Sequence, residues 1–164
     1  MSSAATPRWN WIRCRLRNYS FSNAIPNYNE YISNMTTLVL KDESYKLMGL
    51  LFEVHNKLGP IYKEINYQDA IEALLKRENT PHIREKKIAV RIGEIQISAL
   101  YADFVIDGKI LIEVKAKRFI NHEDIRQTSR MIKSENIPLA IIVNFKRKSL
   151  EYKRIINPVF GKNS

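Results

Sequence analysis

The stretch YADFVIDGKILIEVKAK, residues 101–117, decides the architecture. Two largely apolar runs flank Asp107-Gly108, a dipeptide that reverses a chain into a hairpin. In the second run Ile110, Ile112, Val114 and Ala116 share one strand face, and Leu111, Glu113 and Lys115 the other. An acid and a lysine two residues apart thus project together from a strand that is otherwise apolar. Alone, a Glu-x-Lys pair reads as a solvated strand face whose ion pair is worth little. Asp103 changes the weighing, because it is a second acid among apolar strand neighbours.

The loop between the two strands sets what these acids can do. A symmetric two-residue turn at Asp107-Gly108 pairs Asp103 with Ile112, on the face opposite Glu113. A three-residue loop, built as a type I turn with Gly108 left-handed and a bulge, flips that register. Asp103 then shares a face with Leu111, Glu113 and Lys115. Asp-Gly-Lys suits the bulged turn, and the sequence leaves both geometries open. In the bulged register two carboxylates converge near one lysine. Carboxylate oxygens suit Mg²⁺ or Mn²⁺, which retain waters and accept phosphate oxygens as further ligands. Such an ion polarises a scissile phosphate and makes a bound water more acidic. Lys115 is placed to orient that water, and the Val114 carbonyl offers one more oxygen ligand.

Working outward from the hairpin, the apolar positions Leu47, Leu50, Leu51, Val54 and Leu58 follow a helical period from Asp42 to Gly59-Pro60, which ends the helix. A second helix is expected over Tyr62 to Glu78, with Tyr67, Ala70, Ile71, Leu74 and Leu75 inward. Glu64 lies beside that stripe, where an acid needs a metal, a metal-bound water or a base; the alternative is a first-turn Glu held by the helix dipole. Period-two patterning predicts strands at Ile83–Ile92, Ile95–Ile106 and Lys109–Ala116. A polar helix follows from His122 to Asn136, capped by Asn121. Leu139 to Val143, after Pro138, suits a strand buried on both faces, and Tyr152 to Ile156 an edge strand. The order ααβββαβ, with an added edge strand, implies an α/β (α+β) fold whose central mixed sheet is flanked by helices.

LVLKDESYKLMGLLFEVHNKLGPIYKEINY (residues 38–67), YADFVIDGKILIEVKAK and LAIIVNF closely resemble the GxxExxY proteins, a branch of the PD-(D/E)XK nuclease-like superfamily. The resemblance runs from about Leu38 to Ile156 and keeps the order of motifs. It implies a PD-(D/E)XK nuclease-like fold and a Mg²⁺- or Mn²⁺-dependent phosphodiesterase acting on nucleic acid, DNA more than RNA. The alternative it leaves is a nuclease-fold protein that binds nucleic acid or a protein partner without turnover. Glu64 and Tyr67 match the Glu and Tyr of the family name, Asp103 the acid of the superfamily's first strand motif, and Glu113-Val114-Lys115 its E-x-K. Gln127 matches a Gln that supports the lysine or a bound phosphate. The family's first Gly is Ile61 here, and Ala102 stands where the superfamily name has Pro. His55 and Asn56 fit the family's first helix; a satisfied buried histidine is the simpler reading of His55, and core packing with a bonded hydroxyl that of Tyr67.

The chain of 164 residues carries 27 Lys and Arg against 17 Asp and Glu, a formal +10. That excess favours an anionic partner. Lys117, Arg118, His122, Arg126 and Arg130 run from the E-x-K strand into the third helix. Lys117, Arg118, Arg126 and Arg130 are therefore candidates for contact with a sugar-phosphate backbone. Lys146-Arg147-Lys148 reads instead as a solvated loop. No apolar run approaches the roughly 20 residues of a membrane span. Cys14, the only cysteine, forms no intrachain disulfide and belongs to no zinc cluster. A cytoplasmic protein without membrane contact is expected; a homodimer is compatible with the sequence.

Residues 1–34 differ from the rest. They hold four Arg and one Glu, leaving +7 to residues 35–164. This acid-poor stretch fits upstream translated sequence before an initiating Met35, a loosely ordered extension, or an organelle transit peptide. The nuclease-like domain is expected over residues 35–164.

Overall fold

The computed structural model describes residues 39–160. The expected extension at residues 1–34, and the domain's start at residue 35, lie outside them. Helix α1 spans Lys41–Leu58 and buries Leu47, Leu50, Leu51 and Val54. A 3-10 turn at Gly59–Ile61 follows, and α2 spans Glu64–Arg77. The second helix begins two residues later than its pattern suggests, because Tyr62 and Lys63 are extended. The Tyr67 hydroxyl holds this bend, donating to the Gly59 carbonyl at 2.6 Å and accepting from the Tyr62 amide at 3.1 Å. The strands are β1 (His82–Ile92), β2 (Ile95–Ile106), β3 (Ile110–Lys115), β4 (Leu139–Asn144) and β5 (Glu151–Ile156). Helix α3 (His122–Ser134) lies between β3 and β4. Its capping box is closed by Asn121, whose side chain accepts from the Asp124 amide while Asp124 accepts from the Asn121 amide.

The sheet runs β1-β2-β3-β4-β5; only the β3–β4 pair is parallel, as the α3 crossover requires. One face packs on α1 and α2 through Leu51, Ile71, Phe104, Ile112 and Ile141. The other packs on α3 through Val105, Leu111, Met131, Ile132 and Ala140. The observed architecture is therefore the expected mixed sheet between helices, with Glu151–Ile156 as its edge strand. No helix among the described residues is long and apolar enough to cross a membrane.

The decisive hairpin takes the register that brings the acids together. Ile106 pairs with Ile110 and Phe104 with Ile112, so three residues form the loop and Asp103 falls opposite Glu113. The turn differs from the type I geometry expected. Both Asp107 (φ 48°) and Gly108 (φ 66°) are left-handed, and the Lys109 amide closes the turn on the Ile106 carbonyl at 2.9 Å. Lys109 is then the extra residue that shifts the register.

Candidate functional site

The β2–β3 ladder stops at Phe104↔Ile112, although β2 continues away along β1. The next hydrogen-bonded pair would set the Val114 amide on the Ala102 carbonyl. Instead Val114 donates to the Asp103 carboxylate, N–H to Oδ2, at 2.6 Å. A kink in β2 makes this substitution. Phe104 packs on the α1–α2 face, whereas Ala102, two residues away and of the same parity in a regular strand, packs on the α3 face. Across the β1–β2 ladder from Asp103 stands Glu85, a left-handed residue (φ 52°) that drops out of the pairing. The kink aims Asp103 into the notch where β2 and β3 part.

Four further groups enter this notch. Gln68 of α2 donates to Asp103 Oδ1 at 2.9 Å. Glu64, the first residue of α2, accepts the Ala116 amide at 2.9 Å and so ties the helix to the end of β3. Glu113 is 3% exposed; its Oε2 accepts from Lys115 Nζ at 3.0 Å. Its Oε1 is buried without a hydrogen-bond partner among the described residues. Leaving such an oxygen bare costs about 1–3 kcal/mol, so the site carries an unmet demand for a donor or a cation.

The charges feel one another. Burial, and then the Asp103 carboxylate, push the Glu113 carboxyl up to about 7. Burial likewise raises Asp103, against the Val114 amide and Lys115, which favour its ionised form. Burial alone would lower Lys115, but the surrounding Glu113, Asp103 and Glu64 outweigh it and hold the ammonium above its usual range. Two carboxyls raised by burial beside a firm cation are the pattern of an acid cluster short of positive charge.

Among the described residues, no three acidic, histidine or cysteine side chains stand as a group that could hold one ion between them. A hard cation can also be held openly, by one or two carboxylates with waters completing its shell. Asp103 and Glu113 fit that arrangement, with the bare Glu113 oxygen as the natural ligand. In a strand, the N–H and C=O of one residue point to the same edge. The Val114 carbonyl therefore faces the notch, beyond the last ladder pair.

The remaining predicted residues are placed as follows. Tyr67 is fully buried, stacked on Phe145 at 4.4 Å, and shapes the bend before Glu64. His55 is buried and bonds the Arg147 carbonyl through Nε2 at 2.9 Å, as a satisfied buried histidine does. Gln127 is half-buried on α3 and makes no hydrogen bond to Lys115 or the acids. Ile61, where the family pattern has Gly, lies in the 3-10 turn; the left-handed residue of that bend is Gly59 (φ 67°).

Sequence reasoning missed Gln68 and did not foresee what one basic run stands beside. Gln68 lies one helical turn after Glu64, on the same face, and that spacing was a usable signal. Lys146-Arg147-Lys148 is no isolated loop. Because β3 and β4 run parallel, the segments after Lys115 and Asn144 leave the sheet at the same end. Residues 117–119 and 146–149 together line a cavity of about 580 Å³. Of the four expected phosphate contacts, Lys117 and Arg118 line it; Arg126 and Arg130 do not, and Arg126 is paired with Glu123 at 2.7 Å.

The family model of the PD-(D/E)XK nuclease superfamily matches residues 41–155. The chain belongs to that superfamily. No curated protein matches it. Among solved structures, the crystal structure of SSO0001 is similar with a TM-score of 0.42 and 18% identity, over 56% of this chain and 48% of that one.

Proposed function

We propose that this superfamily member is a Mg²⁺- or Mn²⁺-dependent nuclease of the GxxExxY branch, hydrolysing phosphodiester bonds of DNA in preference to RNA. The observation that carries the reading is the bare Glu113 oxygen, buried opposite Asp103 and two residues from Lys115. Asp103, Glu113 and the Val114 carbonyl would hold the cation, with Glu64 binding directly or through water. When bound, the ion withdraws charge from the scissile phosphate and acidifies the attacking water. Lys115 orients that water and offsets charge on the phosphate. Gln68 positions Asp103 by fixing one oxygen, so the other edge of the carboxylate keeps its direction. Gln127 is assigned support of a bound phosphate. Lys117 and Arg118 receive the flanking backbone, with Arg126 and Arg130 on the α3 approach.

A second reading is a nuclease fold that binds nucleic acid without turnover. Both Asp103 oxygens and the Lys115 ammonium already have protein partners, which favours it. Cleavage of single- and double-stranded DNA and RNA in Mg²⁺, Mn²⁺ or EDTA separates the two. The expected result is metal-dependent DNA cleavage that Glu113→Gln lowers by about 10³-fold. Binding indifferent to Mg²⁺ and to Glu113→Gln, with no cleavage by the wild type, would establish the second reading instead.

A further inference from the structure

The cavity lined by residues 117–119 and 146–149 begins two residues beyond Lys115 and has properties unlike the notch. Five of its seven lining residues are cationic, and the sixth is an aromatic, Phe119, which is 54% exposed. Phe119 is one of several large apolar side chains this domain leaves exposed, and what sets it apart is the run of cations around it. The walls are firmly built. Asn144, with no exposure at all, donates to the Lys117 carbonyl at 2.8 Å and accepts from the Lys117 amide at 3.1 Å and the Lys146 amide at 3.3 Å. One buried amide thus locks both loops together. His55 fixes the second loop again through the Arg147 carbonyl. Lys117 Nζ is held on Asp124 at 2.6 Å, whereas Arg118, Lys146 and Lys148 have no acidic partner among the described residues.

Cations carried on anchored loops beside an exposed aromatic ring are what a single-stranded nucleic acid requires. The cations follow its phosphates, and each unstacked base offers a π-face to the ring. A regular duplex cannot use Phe119, because its bases are already stacked and their faces covered. We infer that this cavity is a subsite for an unpaired nucleotide flanking the scissile bond, with Phe119 as its stacking platform. The proposed nuclease would accordingly prefer ends, overhangs or junctions over continuous duplex. The inference rests on the nucleic-acid half of the functional reading and not on hydrolysis, so it is tested without turnover.

The test is fluorescence anisotropy of the full chain, in EDTA, with a labelled DNA duplex bearing a single-stranded overhang and with the same duplex blunt-ended. The overhang is expected to bind about tenfold more tightly. Phe119→Ala and Phe119→Leu should both remove that advantage, while Phe119→Trp keeps it; the Leu variant preserves apolar bulk and controls for folding. Lys148→Ala should weaken both DNAs and flatten the salt dependence by about 0.7–0.9 in log–log slope, the share of one phosphate contact. Equal binding of blunt and overhang DNA by the wild type would overturn the subsite. So would an overhang advantage that survives in both Phe119→Ala and Phe119→Leu. Loss of cleavage in Glu113→Gln leaves this result untouched, so the two ideas fail separately.

Discussion

The acid notch and the basic cavity leave the same strand within four residues of one another, yet they are built by opposite rules. The notch is buried, short of hydrogen bonds, and holds a carboxyl forced up to about 7. The cavity is open, most of its charges are solvated, and its loops are tied down by the buried Asn144 amide, His55 and the Lys117–Asp124 pair. A fold retains a strained, desolvated charge cluster where chemistry repays it. Solvated charge costs the fold little and supplies attraction at a distance. Turnover should therefore belong to the first region and affinity to the second.

The sharpest way to break this division is Lys115→Ala. Losing a group that orients the attacking water should lower cleavage by about 10²–10⁴-fold. Binding of overhang DNA in EDTA should change by no more than about twofold, since the cavity is intact. Single-turnover kinetics and anisotropy on the same variant check both halves. If binding fell as far as cleavage, the two regions would be one site.

Much of this was legible in the sequence, for reasons that differ by residue. Leu47, Leu51 and Val54 announce α1 because helical burial is written into local spacing, and Leu139 to Val143 announce a strand buried on both faces. The placement of Asp103 opposite Glu113 depended on one loop residue, and Asp-Gly-Lys narrowed it without deciding it. The kink at Asp103 was not legible at all. It arises where Glu85, a polar residue in an ordinary-looking strand, turns left-handed, and no local pattern encodes that. Lys146-Arg147-Lys148 read as solvated because charge beside charge looks alike in any loop. What the sequence could not show is its neighbour: the parallel pairing of β3 with β4 brings this loop beside residues 117–119 at the carboxyl ends of adjacent strands.

A smaller effect tests whether the notch is strained as described. A carboxyl whose folded value lies near 7, against 4.5 when free, costs the fold nothing below pH 4.5. Stability should then fall as pH rises through that window and level off above 7. The loss is on the order of 3 kcal/mol. Glu53 and Glu72, held down near 2 by Arg77 and Lys57 and by Arg84 and Lys76, titrate below the window and do not mask it. Urea unfolding in EDTA at pH 4.5, 6 and 8 should show a steeper decline in wild type than in Glu113→Gln, where only the raised Asp103 carboxyl remains. Adding Mg²⁺ at pH 8 should recover stability in the wild type alone. A wild-type profile no steeper than the variant's would remove the strain from the notch.

The smallest expected effect falls on Asn144, the residue that separates the two regions and holds them in register. It sits at the end of β4 opposite Lys115, and its amide bonds Lys117, Lys146 and Glu151. Asn144→Ala removes the side-chain partner of the part-buried Lys117 and Lys146 backbone groups and should cost about 1–2 kcal/mol of stability. Its effect on function should be uneven. The loops that carry Phe119 and Lys146 lose their common tether, so the preference for overhang over blunt DNA should shrink. The notch depends on β2, β3 and α2, so single-turnover cleavage of DNA at saturating protein should stay within about threefold of wild type. Equal losses in cleavage and in overhang preference would mean that the loops and the acids move as one body, and that affinity and chemistry cannot be assigned to separate parts of this sheet edge.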